Sequence, residues 1–253
     1  MSAEKARSRV VLLDALRGAA VLNMVAYHGL YDWVYVFGKN AAWFTGTNNA
    51  YVWEQCIAWT FILVSGAVSG YSRRPYRRAA VLAGCALLLT AVTVLFMPSE
   101  RILFGVLHFL AAAVLLTALA RPLLDRVPAG VGAAASFALF LLTKQLPWGF
   151  LGLGDWRLVA LPQTLYTASW TFPFGLIGPG FYSADYFPVL PWLFLFWTGR
   201  QLWRWLEARG WSQPLGRVPA PAALCWTGRQ SLWIYLLHQP LLLVVLWLPA
   251  RFF

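Results

Sequence analysis

Seven stretches of this chain are long and apolar enough to cross a bilayer, and that repetition limits its fold more than any other feature. They run approximately over residues 10–30, 52–71, 79–97, 102–120, 129–146, 186–205 and 224–248. A spanning helix needs about 20 mostly apolar residues to cross the hydrocarbon. Of the 253 residues, 60% are hydrophobic and 11% are charged. A soluble domain carries roughly 25% charged residues, and one of this size could not hide the apolar excess in a single core. A soluble enzyme and a disordered chain are therefore excluded. The expected class is an all-α integral membrane protein, a single bundle of about seven helices forming one transmembrane domain over residues 1–253. The first stretch carries Asp14 and Arg17 and is too long for a signal-peptide core, so it reads as a retained helix.

The basic residues orient the bundle. With the N-terminus inside, the inner segments hold fourteen: Lys5, Arg7, Arg9, Arg73, Arg74, Arg77, Arg78, Arg121, Arg126, Arg200, Arg204, Arg209, Arg217 and Arg229. The outer segments hold five: Lys39, Arg101, Lys144, Arg157 and Arg251. This asymmetry predicts N-in, C-out. It also accounts for the net charge of +11 without nucleic acid. Residues 147–185, rich in Gly, Pro and aromatics, form a long outer loop between helices five and six. Its 158–177 part is open to two readings, a re-entrant or interfacial piece or an eighth span.

Ionisable groups inside spans are costly and point to function. Asp14, Arg17, His28 and Asp32 fall within about 60° on the wheel of the first helix. His28 stands about 21 Å along the axis from Asp14, so the stripe crosses most of the bilayer. All three histidines, His28, His108 and His238, lie in predicted spans. Histidine is the side chain best suited to proton transfer near neutral pH, and the three suggest a shared cavity. Pro240 lacks a backbone donor and frees the carbonyl of Leu236, so a kink there is expected to open a pocket for His238 and Gln239. The three histidines sit on different helices at different depths, and Cys56, Cys85 and Cys225 lie in apolar runs. No metal is expected. Ser65/Ser69 and Gly66/Gly70 suit close helix packing. Glu54 either faces water or orients a histidine. The Arg73, Arg74, Arg77, Arg78 loop sets topology, and it also suits anionic lipid or a phosphate-bearing cofactor.

Five pieces, in order, carry a resemblance. They are Leu13-Asp14-Ala15-Leu16-Arg17-Gly18 with Tyr27-His28; Phe61-Ile62-Leu63-Val64-Ser65-Gly66; Phe104-Gly105-Val106-Leu107-His108; Asp185-Tyr186-Phe187-Pro188-Val189-Leu190-Pro191-Trp192; and Ser231 to Pro240. Over roughly residues 9–240 the chain resembles bacterial proteins with the heparan-α-glucosaminide N-acetyltransferase catalytic-type domain, among the transmembrane acyltransferases. The resemblance implies an enzyme of the bacterial plasma membrane that takes an acyl group, acetyl first among them, from cytoplasmic acyl-CoA. The acceptor would be a hydroxyl or amine of a sugar or glycan on the outer side. It gives His28 the general-base role; Asp32, one turn further along the helix, is the expected orienter by spacing. His108 and His238 would line the acceptor path or stabilise an oxyanion. Asp14, Arg17, Arg73, Arg74, Arg77, Arg78, Arg200 and Arg229 would form the acyl-CoA end. Glu54, Ser231, Tyr235, Gln239 and Asp185 would form the acceptor end. The lysosomal enzyme of that family has asparagine in place of His28 and its catalytic histidine in the following loop. The matching stretch here, Phe37-Gly38-Lys39-Asn40, has none, so heparan itself is not implied. Direct transfer and an acetyl-histidine intermediate stay open, as does a homo-oligomer. The rival reading is a transporter or lipid-handling protein using the same polar stripe.

Overall fold

The computed structural model describes residues 10–45 and 47–252. Lys5, Arg7 and Arg9, three of the inner basic residues, lie outside the described residues. Helices form at each of the seven predicted stretches. In chain order they are α1 (Val11–Tyr31), α2 (Ala42–Thr45), α3 (Asn49–Ser69), α4 (Pro75–Phe96), α5 (Val106–Leu124), α6 (Ala129–Thr143), α7 (Val189–Ala208), α8 (Ser212–Gly216), α9 (Ala222–Arg229), α10 (Ser231–Trp247) and α11 (Pro249–Phe252). By length and composition, α3, α4, α5 and the Ala129–Trp148 segment containing α6 can cross a membrane, and α9 with α10 can add a fifth crossing if the bent pair is one span. α1 and α7 are 21 and 20 residues long but more polar. Asp14, Arg17 and His28 in α1, and Arg200, Gln201, Arg204 and Glu207 in α7, lower their hydropathy.

The last helix differs from its expected form. Its turn of 86° falls at Gln230, between α9 and α10, and α10 runs on through Pro240. Just before the turn, α9 packs closely on α1. A Cβ on Gly18 would strike the backbone of Leu224, and one on Gly228 would strike the backbone of Asp14. α9 therefore lies with its backbone directly against that of α1 at these glycines, and α10 starts in a new direction.

The chain divides into two compact units, Met1–Ser65 with Glu207–Phe253, and Gly66–Leu206. In the first, α1 packs on α9 and α10. Asn23 on α1 accepts a hydrogen bond from the Trp53 indole of α3 at 3.1 Å. In the second, α4 packs on α5. Gly66, one of the small residues expected to pack, lies against the backbone of Phe196 on α7.

Residues 150–160 form a hairpin within the stretch expected to be outer loop. β1 (Phe150–Leu153) pairs antiparallel with β2 (Trp156–Ala160), with Leu153 opposite Trp156 and an irregularity between Leu151 and Gly152. Gly154 turns the chain at φ 58°, a conformation open to glycine at little cost. Beyond it, residues 158–177 hold the end of β2 and two short 3₁₀ turns, Gln163–Tyr166 and Phe172–Phe174. No eighth spanning helix forms there, because Pro162, Pro173, Gly175 and Gly178 interrupt any helical run.

Candidate active site

α1 ends in a π-helical turn, Asp32–Val36. Such a turn adds a residue per loop and often marks a functional position. Here it leaves Asp32 completely buried, at 0% exposure. A buried carboxylate needs hydrogen-bond partners. The Gln239 side-chain amide supplies one, donating to the two carboxylate oxygens at 2.8 and 3.0 Å. This bond links the end of α1 to α10 across 207 positions of sequence.

The same pair of helices brings two histidines together. The rings of His28 and His238 stand 5.0 Å apart between centroids, tilted by 56°. His238 is buried. Its Nδ1 lies 2.7 Å from the carbonyl oxygen of Tyr235, and its Nε2 is buried without a hydrogen-bond partner. The Tyr235 ring flanks it at 5.7 Å. His28 meets the edge of Tyr27 at 5.8 Å, and Tyr27 in turn packs on Phe44 at 5.3 Å and Trp53 at 5.5 Å. This aromatic wall escaped the sequence reading, since only folding brings Phe44 and Trp53 to Tyr27. Glu54 follows Trp53 on α3 and lies within electrostatic range of Tyr27. Ser231 sits half-buried at the start of α10. Asp14 and Arg17 form a mostly buried ion pair at 3.7 Å on the first turns of α1. Arg229 is exposed at the end of α9.

The third histidine belongs to the other unit and has a different setting. His108 occupies the first turn of α5. Its Nδ1 accepts a hydrogen bond from the backbone N–H of Gly105 at 3.3 Å. Its Nε2 is then the protonated nitrogen and donates to the Thr90 hydroxyl at 3.2 Å. That hydroxyl donates its own hydrogen bond to the carbonyl oxygen of Ile102 at 2.7 Å. Asp185 closes the same helix end, accepting from the Val106 N–H at 3.0 Å. A Cβ on Gly105 would collide with that carboxylate. The motifs around His108 and Asp185 are thus joined, and both residues cap α5.

The arginines divide as well. Arg73, Arg74 and Arg77 are exposed. Arg78 and Arg200, with Arg121, line a small open pocket whose wall includes Ser69, Ser72 and Thr117. Arg200 is 6% exposed. It donates to Asp125 at 2.8 Å, while its Nε is buried without a partner. Asp125 also meets Arg121 at 3.4 Å and Arg204 at 3.7 Å. Burial pushes the Asp125 carboxyl up, but the Arg200 hydrogen bond and charge, with Arg204 and Arg121, outweigh it and hold the group below its ordinary range. Such a cavity can accept an anion, because guanidinium groups match phosphate oxygens in geometry and charge. Among the described residues there is no group of three or more His, Cys, Asp or Glu side chains able to hold a metal.

A buried imidazole beside a half-buried one, next to a buried carboxylate–amide bond, suits proton transfer. No protein of curated function and no solved structure matches the chain. Over residues 9–240 it matches the family described as heparan-alpha-glucosaminide N-acetyltransferase, catalytic, and it belongs to that family.

Proposed function

We propose that this chain is a membrane-embedded acyltransferase that moves an acetyl group from acetyl-CoA to a hydroxyl or amine of a sugar or glycan. The observation that carries the proposal is the His28–His238 pair, 5.0 Å apart between ring centroids, on a member of this family. The pair takes the proton of the acceptor as its oxygen or nitrogen attacks the thioester carbonyl. The carbon–sulfur bond then breaks, and the proton passes to the departing sulfur. The same atoms serve an acetyl-histidine route, in which imidazole attacks first. Glu54, Ser231, Tyr235 and Gln239, drawn from the helices around the pair, are the proposed acceptor contacts. Asp32 fixes Gln239, and through it the register of α10. His108 and Asp185 hold the start of α5.

The Arg78, Arg121 and Arg200 pocket is the proposed site for the donor's phosphates, with Arg73, Arg74 and Arg77 attracting them from outside. Arg17, balanced by Asp14, and Arg229 are the cationic groups proposed for the first unit. The proposed topology is seven crossings in one domain, N-terminus inside, with residues 147–185 outside. It rests on the distribution of Lys and Arg. A bacterial plasma membrane fits this arrangement.

The test is release of free CoA thiol from acetyl-CoA by the protein in nanodiscs, with glucosamine as acceptor probe. Replacing both His28 and His238 by Ala is expected to lower turnover about 100-fold or more while membrane insertion is kept. Full activity in that variant refutes the role of the pair. The sharp bend between α9 and α10 favours one rival, since broken helices are common in transporters. Proton-coupled uptake into liposomes without an acyl donor would support that rival.

A further inference from the structure

We infer that His238, not His28, receives the acceptor's proton, and that it does so at Nε2. The inference rests on the acyltransferase reading above and assigns the roles within the pair. A carbonyl oxygen can only accept a hydrogen bond. The 2.7 Å contact between His238 Nδ1 and the Tyr235 carbonyl therefore fixes the hydrogen on Nδ1. In the neutral ring the lone pair is then on Nε2, and Nε2 is the atom left buried without a partner. A buried nitrogen lone pair without a donor is costly. An acceptor O–H or N–H directed at it completes the missing bond and places the proton at the atom able to take it.

His108 shows the converse arrangement. Its Nδ1 is occupied by the Gly105 N–H and its Nε2 by Thr90, so neither nitrogen is available to a substrate. Its tautomer is the opposite one. The fold therefore separates a base from a cap by the choice of backbone partner: a carbonyl at His238, an amide N–H at His108.

The reaction balances as follows. The acceptor X–H gives its proton to His238 Nε2 as X bonds to the thioester carbon. The carbon–sulfur bond breaks, and the Nε2 proton moves to sulfur. The products are acetyl-X and CoA thiol, with His238 neutral again. Throughout, the Tyr235 carbonyl holds the Nδ1 hydrogen and stabilises the transient imidazolium.

Two measurements test this, both on the full chain in nanodiscs. ¹⁵N NMR of histidine-labelled protein, with signals assigned by difference against H238N and H108A, is expected to show hydrogen on Nδ1 for His238 and on Nε2 for His108. A His238 ring protonated on Nε2 overturns the inference. The second measurement is CoA release with acetyl-CoA and glucosamine. H238N keeps a side-chain N–H near the position of Nδ1 but has no Nε2. It is expected to lose about 10²- to 10⁴-fold in kcat, as for loss of a general base, with the KM for acetyl-CoA little changed. Turnover of H238N near the wild-type rate overturns the inference and leaves the acyltransferase reading intact. No turnover by the wild type overturns that reading and takes the inference with it.

Discussion

His238 and His108 are the same residue type, each on a long apolar helix, and the structure uses them in opposite ways. At His108 both ring nitrogens are occupied, by a backbone amide and by a hydroxyl that is itself bonded onward. At His238 one nitrogen is occupied and the other is buried without a partner. The difference teaches that a histidine in a membrane helix does not declare a function by its presence. The donors and acceptors around it decide whether it completes a helix end or keeps a lone pair in reserve.

Three perturbations sharpen or break this comparison. The largest effect is expected around the histidine pair. Asp32→Ala leaves the half-buried Gln239 amide without its carboxylate, and a polar group left unpaired costs about 1–3 kcal/mol at full burial. The thermal unfolding midpoint in detergent should fall, and turnover should fall with it, because Gln239 adjoins His238. An unchanged midpoint would mean that the Asp32–Gln239 bond does not hold α10 to the end of α1. His108→Ala is next. It removes a helix cap, a loss of about 1 kcal/mol, and should lower the midpoint modestly while turnover per folded molecule stays at the wild-type level. A loss of kcat without a loss of stability would erase the distinction between the two histidines.

The smallest effect concerns Asp125, where charges meet at the end of α5. Its carboxyl is held below the ordinary range near 4. A depressed acid stabilises the fold above its unfolded pKa, and the contribution is lost as pH falls through the folded value. Unfolding midpoints should therefore show no loss from this group between pH 7 and 5, and a decline only below about pH 4. The side chain is 38% exposed, so solvent screens the effect. Repeating the titration in Asp125→Asn should flatten the acid limb; an identical limb would remove Asp125 from the account.

Much of the helix plan was legible. Runs such as Val106–Leu124 announce themselves through hydropathy, which needs only neighbours in sequence. Asp14, Arg17, His28 and Asp32 shared a face by simple periodicity. The 86° turn was misplaced, because Pro240 is visible in sequence whereas the backbone contact between Gly228 and Asp14 is not. The hairpin at 150–160 was missed because the Gly, Pro and aromatic content around it reads as irregular loop. The expected setting of Asp32 as orienter of His28 came from their one-turn spacing, but no spacing could reveal Gln239, 207 positions away.

The sequence alone determined that this chain belongs in a membrane, where its helices lie, and that its few buried polar residues are worth watching. Hydropathy and helical period are local properties, carried by each residue and its near neighbours. Which imidazole faces which, and which nitrogen keeps its lone pair, was decided by the tertiary structure. Those choices depend on a carbonyl, an amide or a ring supplied by distant elements, at distances that only packing sets.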